Sequence, residues 1–385
     1  MERLTFLVQS LLIIISILDA PPKSAAYQND INMTSIINKF TNIRLPFFSS
    51  LYTYFDLGTT NTRIGIKNKG VTLTEPTYLG YNSRIKDYIF FGAEAKTIVG
   101  KTPDFIKIIR PIVNGILYDF DAEVAYLQKM MEKSVDPYLS QYRFIKPPIR
   151  GISAAPTIAT EIEKKAVEEA LEKIGCSEVF VIEKSLATVA GCGFDIFSHE
   201  PHFVIDMGGG LIELSIISGG GIVSQRALKT AGDNMNKLIG NYTYLKHGIV
   251  LGEATCEDLK IKLLNFTKDE KTTNVRGKSL ETGLPKTIKL KSSDIREALM
   301  SQFHHIVDAA KELIELSPPE IADAVFKNGI VLTGNLAAVA GVHDFFIQEL
   351  KIDTYVADNY ANATILGMMK LDKDQNTVYK LISTS

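Results

Sequence analysis

The sequence predicts an α/β protein built as two similar lobes, and three observations carry that reading. Strand-like apolar runs alternate with helical patterns from Leu51 onward, as in sheets covered by helices. Two stretches read almost alike, YFDLGTTNTRIGI at Tyr54–Ile66 and FVIDMGGGLIELSII at Phe203–Ile217, roughly 150 residues apart, an ordinary domain spacing. At 385 residues the chain also exceeds the usual size of a single core. Each repeated stretch is an apolar strand, an Asp, a turn of Gly or hydroxyl residues, and a second apolar strand. Such a hairpin can bring backbone N–H groups against a phosphate, and its Asp can hold a hydrated metal ion. An ordinary structural turn explains either hairpin alone. The pair predicts a duplicated domain closing on a nucleoside triphosphate from both sides.

The remaining elements follow in chain order. Pro76 and the cluster Tyr81-Asn82-Ser83 break the first strand set. Residues 91–100 read as a short helix stopped by Gly100, and 108–119 as a strand and loop. Helical spacing of apolar residues runs from Phe120 to Lys133. Ile149 to Ala155 is a buried strand. Thr160 caps a helix through Ile174, with Glu163 completing a capping box. A strand at Val179–Ile182 and a helix from Ser185 to Gly193 precede the second hairpin. Asp258 to Lys291 is more polar and reads as part of a smaller, surface-facing subdomain. Ile295 to Leu316 is an amphipathic helix ended by Pro318-Pro319, and 328–335 is a buried strand entering a turn.

Composition narrows the function classes. Net charge is −2, from 42 basic and 44 acidic residues, so no basic footprint for nucleic acid is present. Cys176, Cys192 and Cys256 are odd in number and lack metal-ligand spacing, which fits reduced thiols. His304 and His305 are adjacent on a helical pattern and diverge, so they do not share a metal.

Residues 1–51 stand outside the repeated architecture. Leu4 to Leu18 is nearly all apolar, and Ser24-Ala25-Ala26 resembles a cleavage site, so the start reads as a secretory signal. It is shorter than the roughly 20 residues of a membrane span. Three readings compete: a true start at Met33, an uncleaved anchor, and true export, the last in conflict with a nucleotide site. Residues 36–48 are apolar and aromatic with two basic residues, Lys39 and Arg44, and no acid. They suit an anionic membrane interface or packing on the body of the protein.

In order and spacing, several motifs together resemble the bacterial actin homologue MreB family, within the actin/Hsp70/sugar-kinase superfamily. They are DLGTTNT at Asp56–Thr62, AKTIVGKTP at Ala95–Pro103, IRPIVNG at Ile109–Gly115, VIDMGGG at Val204–Gly210 and AGD at Ala231–Asp233. LGEATCE at Leu251–Glu257, RGKSLETGLPKTI at Arg276–Ile288, SPPE at Ser317–Glu320 and GIVLTG at Gly329–Gly334 complete the series. The resemblance covers about Leu51 to Leu371 and implies an actin-like, two-lobed fold with two RNase H-like cores and small inserted subdomains. The first lobe is then residues 52–195 and 358–385 with a small subdomain at about 83–117. The second is 196–357 with one at about 231–302.

The resemblance also implies an ATP-binding protein that forms filaments at the inner face of the cell membrane and organises cell-wall synthesis and cell shape. Its implied partners are itself, a paralogous MreB, the inner membrane surface and morphogenetic membrane proteins, in the cytoplasm. By position, Thr59, Thr60 and Asn61 contact phosphate from one lobe, and Gly208, Gly209 and Gly210 from the other. Asp56 and Asp206 orient Mg²⁺ through water. Gly232, Asp233, Glu253 and Thr255 match nucleotide-side positions, and Gly334 with Asn335 the turn flanking adenosine.

Two departures fall on one chemical step. Where the family reads Glu-Glu-Pro, its second Glu positioning water, this chain has Glu183-Lys184-Ser185. Where the family's glycine hairpin continues with Thr, this chain has Leu211. A lysine, with a reference pKa of about 10.4, cannot take a proton from water at neutral pH. It can pair with phosphate. Glu183 is the possible rescue, although a neighbouring position points elsewhere. The chain is therefore expected to bind ATP and hydrolyse it slowly. A fully active MreB-type ATPase, another superfamily ATP-binding protein such as a sugar kinase or chaperone, and a nucleotide-free pseudo-enzyme are the alternatives. No long C-terminal peptide-binding segment favours the chaperone. Leu336, where the family has glycine, is expected to crowd the adenosine.

Overall fold

The computed structural model describes residues 50–142 and 146–372. The signal-like run, the choice between Met1 and Met33 and the interfacial segment all lie outside the described residues.

Two five-stranded sheets organise the molecule. The first contains β1 (Leu51–Leu57), β2 (Asn61–Ile66), β3 (Gly70–Pro76), β4 (Ile149–Ala155) and β5 (Cys176–Glu183), in the order β5-β4-β1-β2-β3. The second contains β6 (His202–Met207), β7 (Ile212–Ser218), β8 (Gly221–Leu228), β9 (Ile330–Thr333) and β10 (Thr354–Val356), in the order β10-β9-β6-β7-β8. In each, three antiparallel strands are followed by two that run parallel to the first. The same order and the same directions appear twice, so the duplication legible in the hairpins extends through both sheets. Every residue of β4 is buried, which explains why it reads as one apolar run rather than an alternating one.

The longer helices are α1 (Phe120–Ser134), α2 (Glu161–Lys173), α3 (Lys184–Gly191), α4 (Gly232–His247) and α5 (Glu253–Leu263), beside the short turns of helix at Ala93–Thr97 and Asp136–Leu139. They continue with α6 (Ser292–Glu315), α7 (Pro319–Asn328), α8 (Val342–Leu350) and α9 (Ala363–Leu371). The capping box before α2 forms as expected: Thr160 accepts from the Glu163 N–H, and Glu163 accepts from the Thr160 N–H. The proline pair does not simply close α6. That helix ends at Glu315, and Pro319 opens α7, where its missing N–H costs nothing. The polar stretch after Asp258 becomes the end of α5 and a hairpin, Thr272–Ser279 with Pro285–Lys291, joined by Ile249–Val250 into a three-stranded sheet. A second three-stranded sheet, Leu79–Asn82 with Asp87–Phe91 and Ile106–Ile109, lies beside the first lobe's meander.

Helices α3 and α9 lie between the two large sheets. One buried cluster joins Ile152 and Ile182 of the first sheet, Val204, Ile217 and Val331 of the second, and Ala187, Ala190, Ile365 and Met368 of these helices. Their contact is backbone to backbone. A Cβ on Gly191 would sit 1.8 Å from the Ala363 carbonyl oxygen, and one on Gly367 would sit 1.7 Å from that of Ala187. Only glycine permits this approach.

Candidate functional site

Both expected hairpins form, and their turns meet at one crevice. A Cβ on Gly209 would lie 1.8 Å from Thr60 Oγ1, and one on Gly210 would lie 2.2 Å from Thr59 Oγ1. The turns therefore abut, and side chains on these glycines would fill the gap between them. Thr59 Oγ1 accepts from the Gly115 N–H at 2.8 Å, which fixes the first turn. Thr60 Oγ1 is buried and has no hydrogen-bond partner, an orphaned polar group aimed across the crevice.

Two adjoining cavities open here. The smaller, about 100 Å³, is lined by both turns with Asp56, Lys184, Asp206 and Gly334. The larger, about 530 Å³, shares Thr60, Asn61, Gly208, Gly209 and Asn335 and adds Gly232, Asp233, Lys260 and Leu336. Leu336 supplies an apolar wall to the larger space. Gly334 adopts φ +81°, and a Cβ there would strike the Met207 carbonyl at 2.4 Å, so the turn after β9 packs directly behind the glycine hairpin. The start of α4 is stitched to the same hairpin: Asp233 N–H donates to the Gly209 carbonyl at 2.7 Å and Gly232 N–H to that of Gly208 at 3.3 Å. Glu253 is half exposed and reaches the site through Arg110, 3.4 Å away. Thr255 lines neither cavity.

Strand register places a charged residue opposite each aspartate. Asp56 faces Arg63 across β1 and β2, and Arg63 Nη1 donates to Asp56 Oδ2 at 3.1 Å. Asp206 faces Glu213 across β6 and β7. Lys184, the first residue of α3, bridges that second pair: its Nζ is 2.6 Å from Asp206 Oδ2 and 2.8 Å from Glu213 Oε2. Burial alone would lower the Lys184 pKa. The charges of Asp206 and Glu213 outweigh it and hold the ammonium above its ordinary value. Glu183 is turned to Lys164, 2.7 Å away, and lines neither cavity. Leu211 is buried at the base of the turn.

Four charged residues of the site escaped the sequence reading: Arg63, Glu213, Arg110 and Lys260. The first two were recoverable, because pairing the hairpin strands puts them opposite the aspartates. Arg110 ties the two sides together, donating to the Thr59 carbonyl at 3.3 Å and to the Asp233 carboxylate. Lys260 donates to the Gly232 carbonyl at 2.6 Å, and burial lowers its pKa to about 8 despite the nearby Asp233 and Glu257.

The donor set fits a polyphosphate: paired glycine and threonine turns, an orphan hydroxyl, and lysines lining both cavities, Lys184 in the smaller and Lys260 among those of the larger. It does not fit a hydrated divalent ion, because each aspartate already holds a cation of the chain. Among the described residues, no group of three or more His, Cys, Asp or Glu could hold a metal ion.

Comparison with known proteins agrees with this geometry. The family model described as "MreB/Mbl protein" matches residues 52–380. The cell shape-determining protein Mbl of Bacillus subtilis is 35% identical over 314 residues, covering 81% of this chain and 92% of Mbl. The cell shape-determining protein MreB of Escherichia coli is 32% identical over 310 residues, covering 79% of this chain and 88% of MreB. The crystal structure of MreB5 of Spiroplasma citri bound to ADP superposes with a TM-score of 0.80 at 29% identity, covering 86% of this chain and 98% of that one. The MamK double helical filament, at 15% identity, has a TM-score of 0.70 and shares the fold.

Proposed function

This chain belongs to the MreB/Mbl family, and on that premise we propose that it is a nucleotide-binding, filament-forming cytoskeletal protein of cell-shape determination. The observation that carries the reading is the meeting of the two hairpin turns, with their glycines and threonines, at one crevice. The MreB5 structures with ADP and AMPPNP, and the cell-shape names of Mbl and MreB, support it. ATP is the proposed ligand, with phosphates between Thr59–Asn61 and Gly208–Gly210 and the nucleoside toward Gly232, Asp233, Gly334 and Asn335. We assign the first lobe to residues 52–195 and 358–385 and the second to 196–357, with small subdomains at about 83–117 and 231–302. Packing of α9 against β1 supports returning the C-terminal segment to the first lobe. A Mg²⁺ entering at Asp56 and Asp206 would have to displace Arg63 and Lys184.

Hydrolysis is the weak step of this reading. A water attacking phosphate needs a group that orients it and accepts its proton. Lys184 is an ammonium engaged with two carboxylates, Leu211 offers no polar atom, and Glu183 faces Lys164. The proposed outcome is a bound nucleotide that turns over slowly, so that filaments persist. Assembly at the inner face of the membrane, alone or with a paralogue, completes the proposal. Among the described residues no helix is long and apolar enough to cross a membrane.

Sedimentation of the full chain with anionic liposomes, with and without ATP, tests assembly and membrane attachment together. ATP-dependent pelleting with little phosphate release is expected. A soluble chain indifferent to ATP would overturn the reading. Lys184→Glu combined with Leu211→Thr is expected to raise steady-state phosphate release at least about tenfold, a lower bound beside the roughly 10²–10⁴-fold of a positioned general base.

A further inference from the structure

We propose that Lys184, with Arg63, is a built-in counter-cation that stands where a divalent ion would, so that this site binds its nucleotide without Mg²⁺. The inference rests on the nucleotide reading and concerns how that site balances charge. The ammonium is held between Asp206 and Glu213 at 2.6 and 2.8 Å. Its anchor is itself fixed: the Glu213 side chain is 3% exposed, and its Oε1 accepts from Thr157 N–H at 3.0 Å and Thr157 Oγ1 at 3.3 Å. The duplicated hairpin repeats the arrangement with another cation, Arg63 on Asp56 at 3.1 Å. Each aspartate that could turn a hydrated metal toward the phosphates is thus paired with a cation of the chain, Asp56 with Arg63 of its own hairpin and Asp206 with Lys184, which reaches it from the other lobe and is shared with Glu213.

Two consequences follow. A metal approaching Asp206 meets a like charge already in place, and the carboxylates it would need are occupied. A polyphosphate entering the same crevice meets an ammonium beside the glycine turn, already positioned. The fully charged nucleotide, rather than its magnesium complex, is the species that suits this site.

The test is binding of a fluorescent ATP analogue to the full chain, in excess EDTA and in millimolar Mg²⁺. Affinity in EDTA equal to that in Mg²⁺ within about threefold, or tighter, is expected. A loss of tenfold or more in EDTA overturns the proposal while leaving the nucleotide site intact. No binding under either condition overturns the nucleotide reading itself, and the proposal with it. Lys184→Met, which frees Asp206 and Glu213, is expected to make binding Mg²⁺-dependent by at least tenfold; unchanged indifference to Mg²⁺ in a folded variant counts against the assignment. Mn²⁺ titration of the nucleotide-free chain, followed by electron paramagnetic resonance, is an independent readout. Tight Mn²⁺ binding by the unsubstituted chain at the crevice, lost in Asp206→Asn, also overturns it.

Discussion

Burial moves the titration of two side chains, the half-buried Lys260 and the fully buried Glu123, toward neutral pH. Lys260 has its pKa lowered to about 8 by burial, so its charge is present below that pH and lost above it. It lines the larger cavity beside the glycine turn, where a positive charge favours an anion. Nucleotide affinity is therefore expected to fall as pH rises between about 7 and 9, and Lys260→Met to flatten the profile in a fluorescence titration. Glu123 is fully buried, neither carboxyl oxygen has a hydrogen-bond partner, and burial raises its pKa from 4.5 to about 8. The folded chain holds that proton while the unfolded chain releases it. The stabilisation is complete below about pH 4.5, declines as pH rises toward 8, and is gone above. Urea denaturation of Glu123→Gln is expected to lose a slope of at most about 1.4 kcal/mol per pH unit in that window. Neither burial was legible in the sequence. Lys260 sits in a polar stretch that reads as surface, and Glu123 follows Asp121 in an acidic first turn that suits a helix start.

Elements whose signals are local were legible, and those decided by distant packing were not. Thr160 and Glu163 announce α2 because both partners of the capping box lie within one turn. The hairpins announce themselves through Asp, Gly and hydroxyl residues at fixed offsets. The helix α7 was hidden by reading Pro318-Pro319 as a stop, although proline suits a first helical turn equally well. The ion pairs of Lys184 could not be read, since they join the start of α3 to β6 and β7 of the other sheet. Nor could the crossing of α3 and α9, which depends on two glycines 176 positions apart (367 less 191) meeting back to back. Gly367→Ala forces a methyl into the Ala187 carbonyl and is expected to destabilise the fold by about 2–3 kcal/mol, read as a lowered melting temperature.

At the scale of the molecule, two equivalent sheets with a helix pair between them form a cleft whose floor is shared and whose mouth is spanned by Arg110. That residue joins Thr59 of one lobe to Asp233 and Glu253 of the other. The two-lobed architecture was legible because the chain repeats itself. The clasp was not, because Arg110 lies in a loop whose partners are far away in sequence. The placement of α9 has a further meaning for how this protein is made. The last helix of the described chain closes the first sheet: Ile365 and Met368 pack with Tyr54, and Tyr54 Oη donates to Asp372 Oδ2 at 2.8 Å. The strands of the first sheet, translated earlier, must wait with one apolar face bare until α9 is translated. Ending translation after residue 362 is expected to leave an insoluble product, and supplying residues 363–385 in trans to recover soluble protein. A cell making this chain has to guard that exposed face until α9 has emerged.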